Sequence, residues 1–205
     1  MKILILGGFL GSGKTTVLMH LVNMLCSQMP RPSVVILENE ISSTDVDSKM
    51  LRSRGMTVKN LVAGCICCTS RGLLMDAIED VFTEFAPDYL ITEATGMAYP
   101  DAILQTIQEQ SDFPASILSL VDASRWEKLL LAMPDFIRGQ LHMADTILLN
   151  KADLVDSAIL TDISQQLRQF TDCENIYVTT ASQSLSEEIL THLLVSKPEE
   201  EDSYE

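Results

Sequence analysis

Residues 8 to 15 read Gly-Phe-Leu-Gly-Ser-Gly-Lys-Thr, the residue types and spacing of a loop that wraps a phosphate chain. Glycines let the backbone curl so that successive N–H groups point inward at an anion. Lys14 then reaches the outer phosphates, and the Thr15 hydroxyl is placed to hold a Mg²⁺ ion. A helix starting near Gly13 adds its positive N-terminal end to the same site. Gly8, Gly11, Ser12, Gly13, Lys14, Thr15 and Thr16 are therefore the candidate nucleotide contacts.

A second group of residues reads a base. Asn150-Lys151-Ala152-Asp153 follows the apolar run ADTILL. The Asp153 carboxylate can accept from both N1–H and the 2-amino group of guanine, donors that adenine lacks on that edge. The Lys151 stem can lie over the purine, and Asn150 is expected to tie the loop together. Ala181, in Thr180-Ala181-Ser182, is a candidate backbone donor to the guanine carbonyl. Glu93 ends the run Tyr89–Thr92, where a second Mg²⁺ contact is needed, and Gly96 permits close backbone approach to the outermost phosphate. Asp122, which also follows an apolar run, reads instead as the cap of the next helix.

Cysteines form the third group. Gly64-Cys65-Ile66-Cys67-Cys68 holds three thiols within four residues, a soft donor set for Zn²⁺ first, with Co²⁺, Ni²⁺ or Cu⁺ as alternatives. Neighbouring side chains of an extended chain point apart, so Cys67 and Cys68 grip one ion only where the backbone bends. The four spaced ligands of a closed structural zinc site are missing, and such an open set suits an ion that is handed on. Redox switching of the thiols is the competing chemistry. Cys26 and Cys173 read as small hydrophobes, and His20, His142 and His192 receive no role.

Elements of two kinds must position these groups. Strand-like runs fall at Lys2–Leu6, Ser33–Leu37, Thr57–Leu61, Tyr89–Thr92, Ser116–Val121, Thr146–Leu149 and Asn175–Val178. Helical periodicity fills Lys14–Gln28, Gly72–Phe85, Asp101–Gln110, Arg125–Leu131, Phe136–Met143, Ser157–Phe170 and Leu185–Val195. Alternation of this kind predicts an α/β fold, a mostly parallel sheet with helices on both faces and ligands at the carboxyl ends of the strands. Residues 1–195 read as one domain, and 196–205 as an acidic, disordered tail.

Composition narrows the partners. With 14 Lys and Arg against 29 Asp and Glu, the net charge of −15 disfavours nucleic acid and anionic membrane surfaces. The run Ile3–Leu6 is too short for a signal peptide and no stretch reaches the length of a membrane span, so a cytoplasmic setting with reduced thiols is expected.

Together, GGFLGSGKTT, ENE, GCICC, EATG and NKAD resemble the CobW-type branch of the metal-insertion GTPases, whose relatives are HypB and UreG; the likeness runs from Lys2 to about Val195. The resemblance implies a P-loop NTPase fold and a slow GTPase that uses GTP and Mg²⁺ to load a divalent metal and deliver it to a client metalloprotein or cofactor-assembly protein. By position, Lys14, Thr15 and Glu93 match the phosphate and magnesium residues, Asn150, Lys151 and Asp153 the base readers, and Cys65, Cys67 and Cys68 the metal motif. Glu40 matches the glutamate of the family's NEFG segment, an extra metal ligand or switch contact. That segment here is Asn39-Glu40-Ile41-Ser42, without the glycine. Many relatives continue into a C-terminal domain and a histidine-rich stretch; this chain reads as the GTPase module. No motif residue is an evident base for the attacking water, which leaves room for a partner, or a nucleotide-dependent homodimer, to complete the site. The rival reading is a nucleotide-dependent gatekeeper that senses redox state through Cys67 and Cys68 without transferring metal.

Overall fold

The computed structural model describes residues 1–39, 57–61, 71–94 and 99–194. Among them, seven strands form one sheet: β1 (Lys2–Gly8), β2 (Val34–Asn39), β3 (Thr57–Leu61), β4 (Tyr89–Glu93), β5 (Ala115–Asp122), β6 (Thr146–Asn150) and β7 (Ile176–Val178). Their order is β3-β2-β4-β1-β5-β6-β7. Every pairing is parallel, so the antiparallel edge that "mostly parallel" allowed is absent among the described residues. All seven strands thus end on one edge, with β1 between β4 and β5.

Side-chain alternation explains why β1 reads as an unbroken apolar run. Ile3 and Ile5 face one layer while Leu4 and Leu6 face the other, and all four are buried. A strand covered on both faces has no polar side to show. One layer holds α1 (Lys14–Ser27) and α7 (Glu187–Leu194). Val17, Leu18, Leu21, Val22 and Leu25 of α1 form the stripe that meets the sheet. The other layer holds α2 (Arg71–Phe85), α3 (Pro100–Gln110), α4 (Trp126–Ala132), α5 (Pro134–Leu141) and α6 (Ser157–Leu167).

Boundaries shift from the sequence expectation where capping chemistry overrides periodicity. Pro100 and Pro134 occupy the first helical turn, so α3 and α5 begin ahead of their apolar stripes. Helix α6 stops at Leu167, three residues short of Phe170, whose ring instead meets Trp126 edge-on at 6.0 Å. The acidic stretch 196–205 lies outside the described residues.

Helix α5 meets the start of α3 through a flat seat. The Tyr99 ring lies against Gly139, and a Cβ on Gly139 would overlap that ring. Tyr99 also tilts against Phe136 at 5.1 Å, and Phe136 meets Phe9 edge-on at 5.0 Å. Gly139→Ala is expected to destabilise the chain by about 1–3 kcal/mol despite alanine's better helix propensity. A melting temperature within about 1 °C of wild type would show that Tyr99 can leave its seat freely.

Candidate nucleotide site

Chain reversal after β1 builds the phosphate loop. Gly8, Gly11 and Gly13 adopt φ of 126°, 75° and 108°, which L side chains rarely tolerate. At Gly8 a Cβ would also stand 2.5 Å from the Leu120 carbonyl and 2.9 Å from Ser12 Oγ. At Gly13, which caps α1, it would overlap the Asn150 amide. The motif's glycines thus answer both to conformation and to neighbours on β5 and β6.

Lys14 is buried, and its ammonium donates to the carbonyls of Gly8 at 3.1 Å and Phe9 at 3.4 Å. It also lies 3.5 Å from the Glu93 carboxylate, which β4 delivers from the neighbouring strand. Burial pulls the Lys14 ammonium below the ordinary lysine value, while the Glu93 charge and hydrogen bond push it back up. Thr15 is half-buried in the first turn of α1 and Thr16 is exposed. A carboxylate and a hydroxyl beside a phosphate loop form an all-oxygen set, which suits Mg²⁺.

The candidate base-reading residues lie at and after the end of β6, two strands from β1. Asn150 is buried; its Nδ2 donates to the Ser12 carbonyl at 2.8 Å and its Oδ1 accepts the Ala181 N–H at 2.9 Å. One amide therefore joins the phosphate loop to both base loops. The Ala181 N–H, the candidate donor to a base carbonyl, is engaged by Asn150 in this structure. The loop containing Ala181 is held from a second side, where its carbonyl lies 2.8 Å from His20 Nε2. Ala152 N–H donates to the Thr179 carbonyl at 3.1 Å, so the two base loops are also stitched by backbone. Lys151 takes a left-handed backbone, φ 62° and ψ 38°, and Asp153 is exposed in the short 3-10 turn Ala152–Leu154.

Asp122 ends β5 with its side chain fully buried. Its Oδ1 accepts from the Ser124 N–H at 3.1 Å and the Ser124 hydroxyl at 2.6 Å, the cap expected from sequence. Its Oδ2 accepts from Arg125 Nε and Lys151 Nζ, each at 2.7 Å. Burial alone would raise this carboxyl, but the bonds from Lys151, Ser124 and Arg125 outweigh it and hold it below the ordinary carboxylate value. Arg125 Nη2 in turn donates to the Leu10 carbonyl at 2.7 Å.

Two supports have no motif to announce them. Gln140 of α5 is buried and its Oε1 accepts the Gly8 N–H at 2.8 Å, while its carbonyl accepts the Ser119 hydroxyl at 2.6 Å. Its sequence signal is an amide within the apolar stripe Phe136, Ile137, Gln140, Leu141, where a buried polar group needs a partner. Arg125 offered no such signal. Glu40, Gly96, Cys65, Cys67 and Cys68 lie outside the described residues. Strands β2 and β3, which precede Glu40 and the cysteines in the chain, end on the same edge as β1 and β4.

A parallel sheet with a glycine loop after its central strand, a buried lysine inside that loop and an acid from the adjacent strand defines a P-loop nucleotide-binding domain. Residues 2–178 match the CobW/HypB/UreG nucleotide-binding domain, and the chain belongs to that family. It is 33% identical over 164 residues to the zinc chaperone YjiA of Escherichia coli (strain K12), covering 75% of this chain and 50% of that protein. It is 28% identical over 192 residues to zinc-regulated GTPase metalloprotein activator 1 of Dictyostelium discoideum, covering 74% of this chain and 40% of that one. The chain thus spans about half the length of these curated relatives, or less. Hydrogenase maturation factor HypB from Archaeoglobus fulgidus shares the fold, with a TM-score of 0.66 at 15% identity over 94% of this chain and 88% of that one. No helix among the described residues is long and apolar enough to cross a membrane.

Proposed function

We propose that this chain is a GTP-dependent metallochaperone module, which hydrolyses GTP slowly and uses nucleotide state to load and release a divalent metal. Asn150 carries the reading: a single buried amide that bridges the phosphate loop and the loop of Ala181 makes one rigid site for a triphosphate and a guanine. Asp153 reads the base, Lys151 covers it, and the phosphate loop with Lys14 holds the phosphates. Thr15 and Glu93 would hold Mg²⁺, which when bound neutralises charge on the phosphate oxygens. The Lys14 ammonium exchanges its Glu93 partner for phosphate oxygens, and so follows the charge that grows during transfer. Cys65, Cys67 and Cys68, with Glu40 as a further ligand, take the cargo ion, Zn²⁺ or Co²⁺ by the softness of three thiolates. The names of the relatives, zinc chaperone and zinc-regulated activator, support zinc as that cargo and a client metalloprotein or cofactor-assembly protein as its recipient.

Nucleotide and metal must be coupled reciprocally for delivery to work. Zn²⁺ titrations in the presence of Mg²⁺ with a non-hydrolysable GTP analogue, with GDP and with no nucleotide test this. Metal binding about tenfold or more tighter with the GTP analogue than with GDP is the expected result. Equal affinities in the three states would leave a guanine-nucleotide binder without a delivery cycle.

A further inference from the structure

Lys151 and the phosphate loop are separate in sequence, yet one carboxylate oxygen reaches both. Asp122 Oδ2 holds the Lys151 ammonium directly and holds the crest of the phosphate loop through Arg125, whose other nitrogen grips the Leu10 carbonyl. The carboxylate has no exposure, whereas the Arg125 and Lys151 side chains are 41% and 32% exposed. The two cations therefore share a buried anchor while their stems border solvent.

We infer that Asp122 and Arg125 are positioning residues for nucleotide binding: Asp122 sets base recognition by fixing the Lys151 stem, and Arg125 sets the distance of that stem from the phosphate loop. Neither is placed at the reacting atoms, where Lys14 and Glu93 pair. The reasoning starts from the Lys151 backbone, whose left-handed conformation persists only where surrounding contacts hold it. A lysine stem pinned at its Cα and at its ammonium has little rotamer freedom left to lose when a purine stacks on it. A free lysine would lose that freedom on binding, worth roughly ten- to thirtyfold in affinity. Pinning also sets where Asp153, two residues along, presents its carboxylate. Arg125 supplies the other half of the strut: it spans from the same oxygen to Leu10 and keeps the phosphate cradle at a set separation from the base loop.

The inference rests on guanine-nucleotide binding as proposed above, and its test separates the two. In the full chain, Asp122→Asn and Arg125→Gln are compared with wild type for binding of GTP, GDP and ATP and for steady-state GTP hydrolysis. Asp122→Asn is expected to weaken GTP and GDP by the same factor, about tenfold or more. It is also expected to narrow the preference for GTP over ATP, with the hydrolytic loss carried by KM rather than kcat. Arg125→Gln is expected to weaken GTP and GDP together while keeping the preference, because it releases the phosphate loop and leaves the Asp122–Lys151 pair. Should Asp122→Asn fail to fold, Lys151→Met, which keeps the stem and removes its ammonium anchor, takes its place with the same expected loss of affinity and narrowed preference. Unchanged nucleotide affinities in the folded variants, with only a lower melting temperature, overturn the inference, as does a loss confined to kcat. Wild-type protein that binds GTP no better than ATP refutes the guanine reading itself, whatever the variants do.

Discussion

Lys14→Met is expected to lower GTP hydrolysis by about 10²–10³-fold while leaving the nucleotide-free protein at least as stable as wild type at neutral pH. The functional loss follows from removing the phosphate-loop ammonium proposed to bring positive charge to the phosphates. The stability gain follows from burial. Lys14 titrates below the ordinary 10.5 because desolvation outweighs the help from Glu93. A lysine whose folded pKa is depressed binds fewer protons in the folded than in the unfolded chain between the two values. Wild-type stability therefore rises relative to the variant as pH climbs through that window, and the variant's advantage is largest below it. Glu93 keeps 19% of its side chain exposed, so it can remain hydrated when its partner goes. Single-turnover hydrolysis and urea unfolding from pH 7 to 10.5 check both halves. A Met variant that unfolds more easily than wild type at pH 7 would show that the Glu93 pair and the bonds to the Gly8 and Phe9 carbonyls together outweigh the desolvation of Lys14.

Asn150→Ala is expected to lower both stability and nucleotide affinity. It strands the Ser12 carbonyl and the Ala181 N–H, each bonded to Asn150 in a buried setting. Two unsatisfied buried groups cost roughly 2–4 kcal/mol together, which for a chain of this size lowers the melting temperature by roughly 5–12 °C. GTP affinity falls by about tenfold or more as well, because the phosphate loop and base loops no longer share a rigid joint. Thermal melts of the nucleotide-free protein and GTP titration separate the effects. Lost affinity with an unaltered melting temperature would mean that Asn150 serves the nucleotide alone and does not brace the loops.

Much of this site is legible in the chain because its chemistry is local. A phosphate loop is a run of backbone N–H groups on glycine-permitted dihedrals, so Gly8, Gly11, Gly13 and Lys14 carry the signal within a few residues of one another. The strand positions are equally plain, since double-sided burial demands apolar runs such as Lys2–Leu6 and Thr146–Leu149. Gln140 was hidden for the opposite reason. It reaches Gly8 from a helix 132 residues away, and nothing near it in the chain shows that a backbone N–H is waiting. Asp122 was half legible: its cap to Ser124 is a local contact, but its bond to Lys151 spans 29 residues.

Residue order alone determined the class of fold, the phosphate cradle, the candidate magnesium and base-reading groups and the three-thiol cluster, because each is a short-range pattern of backbone permission or donor type. Folding decided which of these meet. Placement of β4 and β5 on either side of β1 puts Glu93 against Lys14 and Asp122 beside the phosphate loop. It also gave Ala181 to Asn150 and made one buried carboxylate the shared anchor of Lys151 and Arg125. Such pairings depend on strand order and on the depth at which charge is buried, and both are set by packing across the sheet rather than by neighbours along the chain.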